Sequence, residues 1–186
     1  MTSLKCWILI ATPILLSACD EQSHDQPSKD LKVVIIRHAE KPADGDNLSC
    51  QGQNRALQLS QVLHQKFKLP DYLYVPSLDA DKNTSHSRMF QTITPFAVKY
   101  NLTINSKYED NDYEGVANNV FKKRGTVLMV WSHQSIPKLA RALGLKDAPQ
   151  WEDADFDSIW ILTYQHHKPT LTLDQEGLNP SSNCDY

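Results

Sequence analysis

From Leu31 onward the chain alternates short apolar runs with longer stretches of helical period. Val33-Val34-Ile35-Ile36 is an unbroken β-branched run within residues 32–36, the pattern of a strand covered on both faces, as a central parallel strand is. Residues 51–67 then place Ala56, Leu59, Leu63 and Phe67 three and four apart, which predicts an amphipathic helix ending before Pro70. A second strand follows at 72–75, and 87–100 reads as a helix with Pro95 as a kink or a late start. Residues 112–123 read as another helix, opened by Asn111 with Glu114 three residues on. A second buried strand at 126–131 leads into a helix at 137–143, with Pro137 at its first position and Gly144 closing it. Strands at 158–164 and 170–173 read as a hairpin around His166, His167 and Lys168. Strand and helix alternating over this length predict an α/β/α sandwich of three layers with a mainly parallel sheet.

The first eighteen residues follow a different pattern. Lys5 precedes a largely apolar run of eleven residues ending at Leu16, and then comes Ser17-Ala18-Cys19. This is the layout of a secretory signal peptide, too short for the ~20 residues of a membrane-spanning helix. Leu16-Ser17-Ala18-Cys19 resembles the lipobox of bacterial lipoproteins, which implies that Cys19 becomes the lipidated first residue of a periplasmic protein. Asp20 resembles the inner-membrane retention signal of enteric lipoproteins. Residues 19–30 then form the lipid-bearing cysteine and a polar tether, and 31–186 a single domain. With Cys19 assigned to lipid, Cys50 and Cys184 are the two thiols left in an oxidising compartment and form a candidate disulfide whose distance sequence does not give. The Asn-x-Ser/Thr sequons at Asn47, Asn83 and Asn101 carry no weight in a bacterial lipoprotein.

Charge narrows the function classes. A chain of 186 residues with 19 Lys and Arg against 22 Asp and Glu has no basic excess for a nucleic acid, which is not an expected partner. The chemistry sits at strand ends instead. The first strand runs into Arg37-His38-Ala39-Glu40 and the later buried strand into Trp131-Ser132-His133, while Ser87-Arg88 opens a helix between them. Ligands of open α/β sheets gather outside the carboxyl ends of the strands, so these two arginines and two histidines are placed to share one pocket.

These residues resemble the histidine phosphatase superfamily, also called phosphoglycerate-mutase-like. Arg37-His38-Ala39-Glu40 is similar to its Arg-His-Gly-Glu signature, with Ala in place of Gly. Leu48-Ser49, Gly52 and Arg55-Ala56 follow in order; Ser87-Arg88 with Gln91-Thr92 resembles the second-arginine motif, and Ser132-His133 the second histidine. Asp155-Phe156-Asp157-Ser158-Ile159-Trp160 is similar to a loop-to-strand segment of small bacterial members. The resemblance covers residues 31–164 and implies a phosphatase in which His38 attacks phosphorus, Arg37 and Arg88 hold phosphoryl oxygens, and His133 stabilises the transferring group, with no metal or other cofactor.

Chemistry agrees with those residue types, since an anionic ester calls for a neutral nucleophile among positive donors. The other ring nitrogen of His38 is expected to donate to a backbone carbonyl. Lys41 and Ser132 are candidate substrate-binding residues, each equally readable as part of a solvated loop or turn. Arg55 reads as structural, and His166-His167 as a solvated hairpin tip in place of a metal site. For the general acid, Asp112 fits the family spacing best and Glu109 next, although Asp112 and Glu114 also suit the positive start of a helix. The phosphorylated partner is open among small molecules, envelope components and phosphoproteins. A lipoprotein that binds such ligands without turnover is the alternative; a mutase is disfavoured, because so compact a chain has little insertion with which to build a lid.

Overall fold

The computed structural model describes residues 26–78, 86–184 and 186. Ten elements follow in order: β1 (Leu31–Arg37), α1 (Cys50–Phe67), β2 (Tyr72–Tyr74), α2 (Ser87–Tyr100), β3 (Ile104–Asn105), α3 (Tyr113–Phe121), β4 (Gly125–Trp131), α4 (Ile136–Ala142), β5 (Ser158–Gln165) and β6 (Lys168–Gln175). They build one sheet of order β3-β2-β4-β1-β5-β6. The pairings β2 with β3, β2 with β4 and β1 with β4 are parallel; β1 with β5 and β5 with β6 are antiparallel.

β1 and β4 lie at the centre, and their apolar runs face both ways as the pattern predicts. Val33 and Ile35 with Val127, Met129 and Trp131 pack against Val116 and Val120 of α3 and Ile136 and Leu139 of α4. Val34 and Ile36 with Leu128 and Val130 pack against Leu59 and Leu63 of α1 and Ile93 and Phe96 of α2. Three layers result because consecutive strand residues point to opposite faces and each face needs its own helix pair.

Several boundaries differ from expectation. The cap of α3 is Asp112, not Asn111: its carboxylate accepts the Gly115 N–H at 3.0 Å. α2 keeps its expected bounds, Ser87–Tyr100, with Pro95 inside the helix and not at a late start. β3, two residues long and without an apolar run, gave no signal in the sequence and exists by pairing with Leu73 and Tyr74. The hairpin turn is His166-His167 alone, and Lys168 already belongs to β6.

Cys50 and Cys184 are disulfide-bonded, with Cα atoms 4.9 Å apart, fastening the C-terminal segment to the start of α1. Asn54 Nδ2 adds donations to the carbonyls of Ser181 and Asn183. Among the described residues no helix is long and apolar enough to cross a membrane. The signal segment, Cys19 and Asp20 lie outside the described residues.

Candidate active site

Arg37 and Trp131 are register partners at the carboxyl ends of β1 and β4, so Arg37-His38 and Ser132-His133 leave the sheet side by side. The His38 N–H donates to the Trp131 carbonyl at 3.1 Å and locks the two exits together. A cavity of about 230 Å³ opens here, lined by His38, Asp46, His86, Arg88, Met89 and Ser132.

His38 is almost wholly buried, and its Nδ1–H donates to the Ala39 carbonyl at 2.8 Å. A carbonyl only accepts, so the proton sits on Nδ1 and Nε2 keeps its lone pair. Burial pushes the imidazole pKa down to about 4; the Ala39 contact opposes this, and Arg37, Arg88 and His133 reinforce it. At neutral pH His38 is therefore an uncharged nitrogen base among cationic neighbours.

The second arginine is positioned by stitching between α2 and the loop after β1. Thr92 Oγ1 accepts the Ala39 N–H at 2.9 Å and donates to the Arg88 carbonyl at 2.7 Å. Gln91 accepts the Leu48 N–H and donates to Asn47 Oδ1, while Ser87 Oγ donates to the Asp46 carbonyl. Arg88 itself donates to the Gly45 carbonyl at 2.5 Å. The segment around Glu40 closes tightly on α1: a Cβ at Gly52 would lie 2.1 Å from the Glu40 carbonyl oxygen. Only glycine admits that approach.

Arg37 turns toward the loop before β5. Its Nη1 donates to the carbonyls of Asp153 at 2.6 Å and Asp155 at 3.0 Å, and its guanidinium lies 3.8 Å from the centre of the Phe156 ring. Burial lowers its pKa to about 10, which leaves it charged. His133 Nε2 meets the Asp153 carboxylate at 3.0 Å, on an aspartate whose side chain is 94% exposed. Burial holds the His133 pKa below its usual value, with Arg37 adding to the effect and Asp153 opposing it.

Among the described residues, three buried side-chain polar atoms have no hydrogen-bond partner: Arg37 Nε, His133 Nδ1 and Ser77 Oγ. All three belong to residues at or just past the carboxyl ends of β1, β4 and β2. Leaving a buried polar group unpaired costs about 1–3 kcal/mol, and here that cost is concentrated at the edge where a ligand would relieve it.

Not every candidate reaches the cavity. Asp112 is exposed, and its carboxylate wraps the start of α3, where a Cβ on Gly115 would sit 2.3 Å from it. Asp112, the residue that spacing suggests as general acid, is placed at the helix cap and outside the lining of the cavity. Glu109 is exposed as well. The acid that turns to β4 is Asp110, which accepts from Ser135 Oγ at 2.7 Å and Ser132 Oγ at 3.5 Å. Lys41 lines an adjoining cavity with Phe156, and its charge acts on His133. Arg55 is buried in a network with Glu40, Glu176 and Asp157, its bond to Glu176 measuring 2.6 Å. Burial and the neighbouring carboxylates raise the Glu176 pKa well above the usual range, against the pull of Arg55. Sequence reasoning missed Asp46, His86, Asp110 and Asp153; only Asp110 had a signal, lying two residues from the position chosen by spacing.

No family model matches the chain, and no curated protein matches it in sequence. Solved structures do. A SixA protein of Agrobacterium tumefaciens, assigned as a phosphohistidine phosphatase, superposes with a TM-score of 0.53 at 15% identity, covering 82% of this chain and 100% of its own. A phosphoserine phosphatase variant of Entamoeba histolytica, in complex with phosphoserine, gives 0.53 at 14% identity over 79% of this chain and 97% of its own. The chain shares its three-layer fold with these two phosphatases. Mycobacterial glucosyl-3-phosphoglycerate phosphatase, in complex with inorganic phosphate, shares the same fold at a TM-score of 0.51 and 15% identity, covering 77% of this chain and 95% of its own.

Proposed function

We propose that the protein is a phosphatase that hydrolyses phosphate monoesters or phosphohistidine through a phosphohistidine formed on His38. The observation that carries this reading is the His38 imidazole, held neutral with its proton on Nδ1 and its Nε2 lone pair available beside Arg88 and Ser132. In the first step Nε2 gives its lone pair to phosphorus, the P–N bond forms, and the bond from phosphorus to the leaving group breaks. The leaving atom departs with the bonding pair and takes up a proton from solvent. Water then attacks phosphorus and gives a proton back to solvent, the P–N bond breaks with its electron pair returning to Nε2, and phosphate and neutral His38 are restored.

Arg37 and Arg88 serve as the fixed positive charges for the phosphoryl oxygens. The Asp153 carboxylate occupies the position on His133 Nε2 that a phosphoryl oxygen would take, and its exposure makes it displaceable. With Asp112 committed to a helix cap, the reading favours substrates whose leaving group needs little protonation, phosphohistidine and activated esters first. We further infer that Cys19 carries lipid and holds the domain on the periplasmic side of a membrane, as its sequence context suggests.

The test is turnover of a panel of phosphate esters and phosphohistidine by residues 20–186, with His38→Ala as control. Hydrolysis lost in the variant supports the reading. Ligand binding without turnover by the wild-type chain would replace it with a non-catalytic lipoprotein that binds phosphorylated ligands.

A further inference from the structure

The end of the sheet opposite the candidate active site is built differently. A cavity of about 770 Å³ lies there, among the residues that lead into β1 and β4 and the turn between β5 and β6. Its lining includes Lys29, Lys122, Lys123, Arg124, His166 and His167, and among the described lining residues there is no Asp or Glu. In a chain of net charge −3 this is a local excess of four formal positive charges before any histidine protonates. Asp30, exposed just before β1, and Asp71, whose carboxylate accepts the Thr126 N–H at 2.8 Å, are acids at this end of the sheet, and Asp25 precedes Gln26 in sequence.

Two further features belong to this edge. Lys123 lies 4.9 Å above the ring of Tyr72, which is 38% exposed, so a cation and an aromatic face solvent together. The turn holds His166 and His167 at φ of 48° and 64°, left-handed conformations that Asn-Gly normally fills in a two-residue hairpin. His167 Nδ1–H donates to the carbonyl of buried Pro27 at 3.1 Å, seating the entering chain against the cavity. Gln26, the first described residue, lines the same cavity, and Cys19 is only seven residues earlier.

We propose that this basic edge docks on an anionic phospholipid surface, with lipid phosphates seated among Lys29, Lys123 and Arg124. Charge complementarity and the entry point of the tether select a membrane as the occupant. β1 and β4 each span seven residues, so the candidate active site opens ~20 Å away on the far edge and faces outward from the bilayer. The docking takes its setting from the lipid tether proposed above, but its test does not.

Every strand and helix among the described residues, both cores and the disulfide lie within residues 26–186, so a chain beginning at residue 20 holds all of the described fold and lacks Cys19 for acylation. That chain is sedimented with vesicles of phosphatidylglycerol and phosphatidylcholine, and with vesicles of phosphatidylcholine alone. It is expected to partition onto the anionic vesicles only and to be released by salt. Lys29→Glu/Lys123→Glu/Arg124→Glu should weaken partitioning at least about tenfold with phosphate-ester turnover unchanged, and the milder Lys29→Ala/Arg124→Ala by several fold. Equal partitioning of wild type and variants would overturn the proposal, as would indifference of the wild type to anionic vesicles. So would release by inorganic phosphate beyond that by chloride at equal ionic strength, which would assign the cavity to a free anion. Acyl labelling of the full chain at Cys19 judges the tether separately.

Discussion

At the scale of single residues, burial and hydrogen bonding set the state of His38. Its pKa of about 4 lies below the ordinary 6.5, so the folded state disfavours the protonated ring. The resulting contribution to stability is full above pH 6.5 and is lost as pH falls through 4, a loss of about 3 kcal/mol. An NMR titration of the His38 ring should show it neutral down to about pH 4; a midpoint near 6.5 would contradict the geometry. The two acids near β4 separate in the same way. Asp112→Ala should cost about 1 kcal/mol of stability through its cap while leaving turnover nearly intact. Asp110→Asn should lower turnover by shifting Ser132 and Ser135, with kinetics and denaturation measured on both variants. The candidate histidines and arginines were legible because each sits next to a strand end or helix start that the apolar pattern marks. Which carboxylate of the polar run at 109–114 turns toward β4 was not, because that choice is made by Ser132, Ser135 and the Trp131 indole across the fold.

At the scale of elements, the central strands and long helices were legible because their apolar periodicity is unbroken. β3 was not, since two residues acquire strand geometry only by lying beside β2. The placing of β5 against β1, reversing the direction of the sheet, is likewise a tertiary outcome. Motif residues that were given no chemical role in sequence prove to be joints: Thr92 and Gln91 tie α2 to the loop after β1, and Glu40 is held by Arg55. The disulfide acts at this scale too. Its cysteines are 134 positions apart, so Cys50→Ser/Cys184→Ser should lose roughly 4–5 kcal/mol in the chain-entropy model. Urea denaturation with and without reductant checks this, and an unchanged midpoint would show that the tail is held by Asn54 and Arg55 alone.

At the scale of the whole molecule, the sheet separates two kinds of positive charge. The carboxyl edge presents guanidinium and imidazole beside the neutral His38 ring; the amino edge presents exposed lysine and arginine where the chain enters β1. Because the donors of the candidate site are guanidinium and imidazole, turnover should survive EDTA, whereas loss restored by zinc or magnesium would require a different mechanism. Cys19→Ser in the full chain should abolish acyl labelling and release the protein from membranes. The covalent intermediate tests the central claim most directly. Rapid-quench mass spectrometry under alkaline work-up, after mixing with substrate, should find an acid-labile phosphate on His38; label on a serine or aspartate would contradict the account.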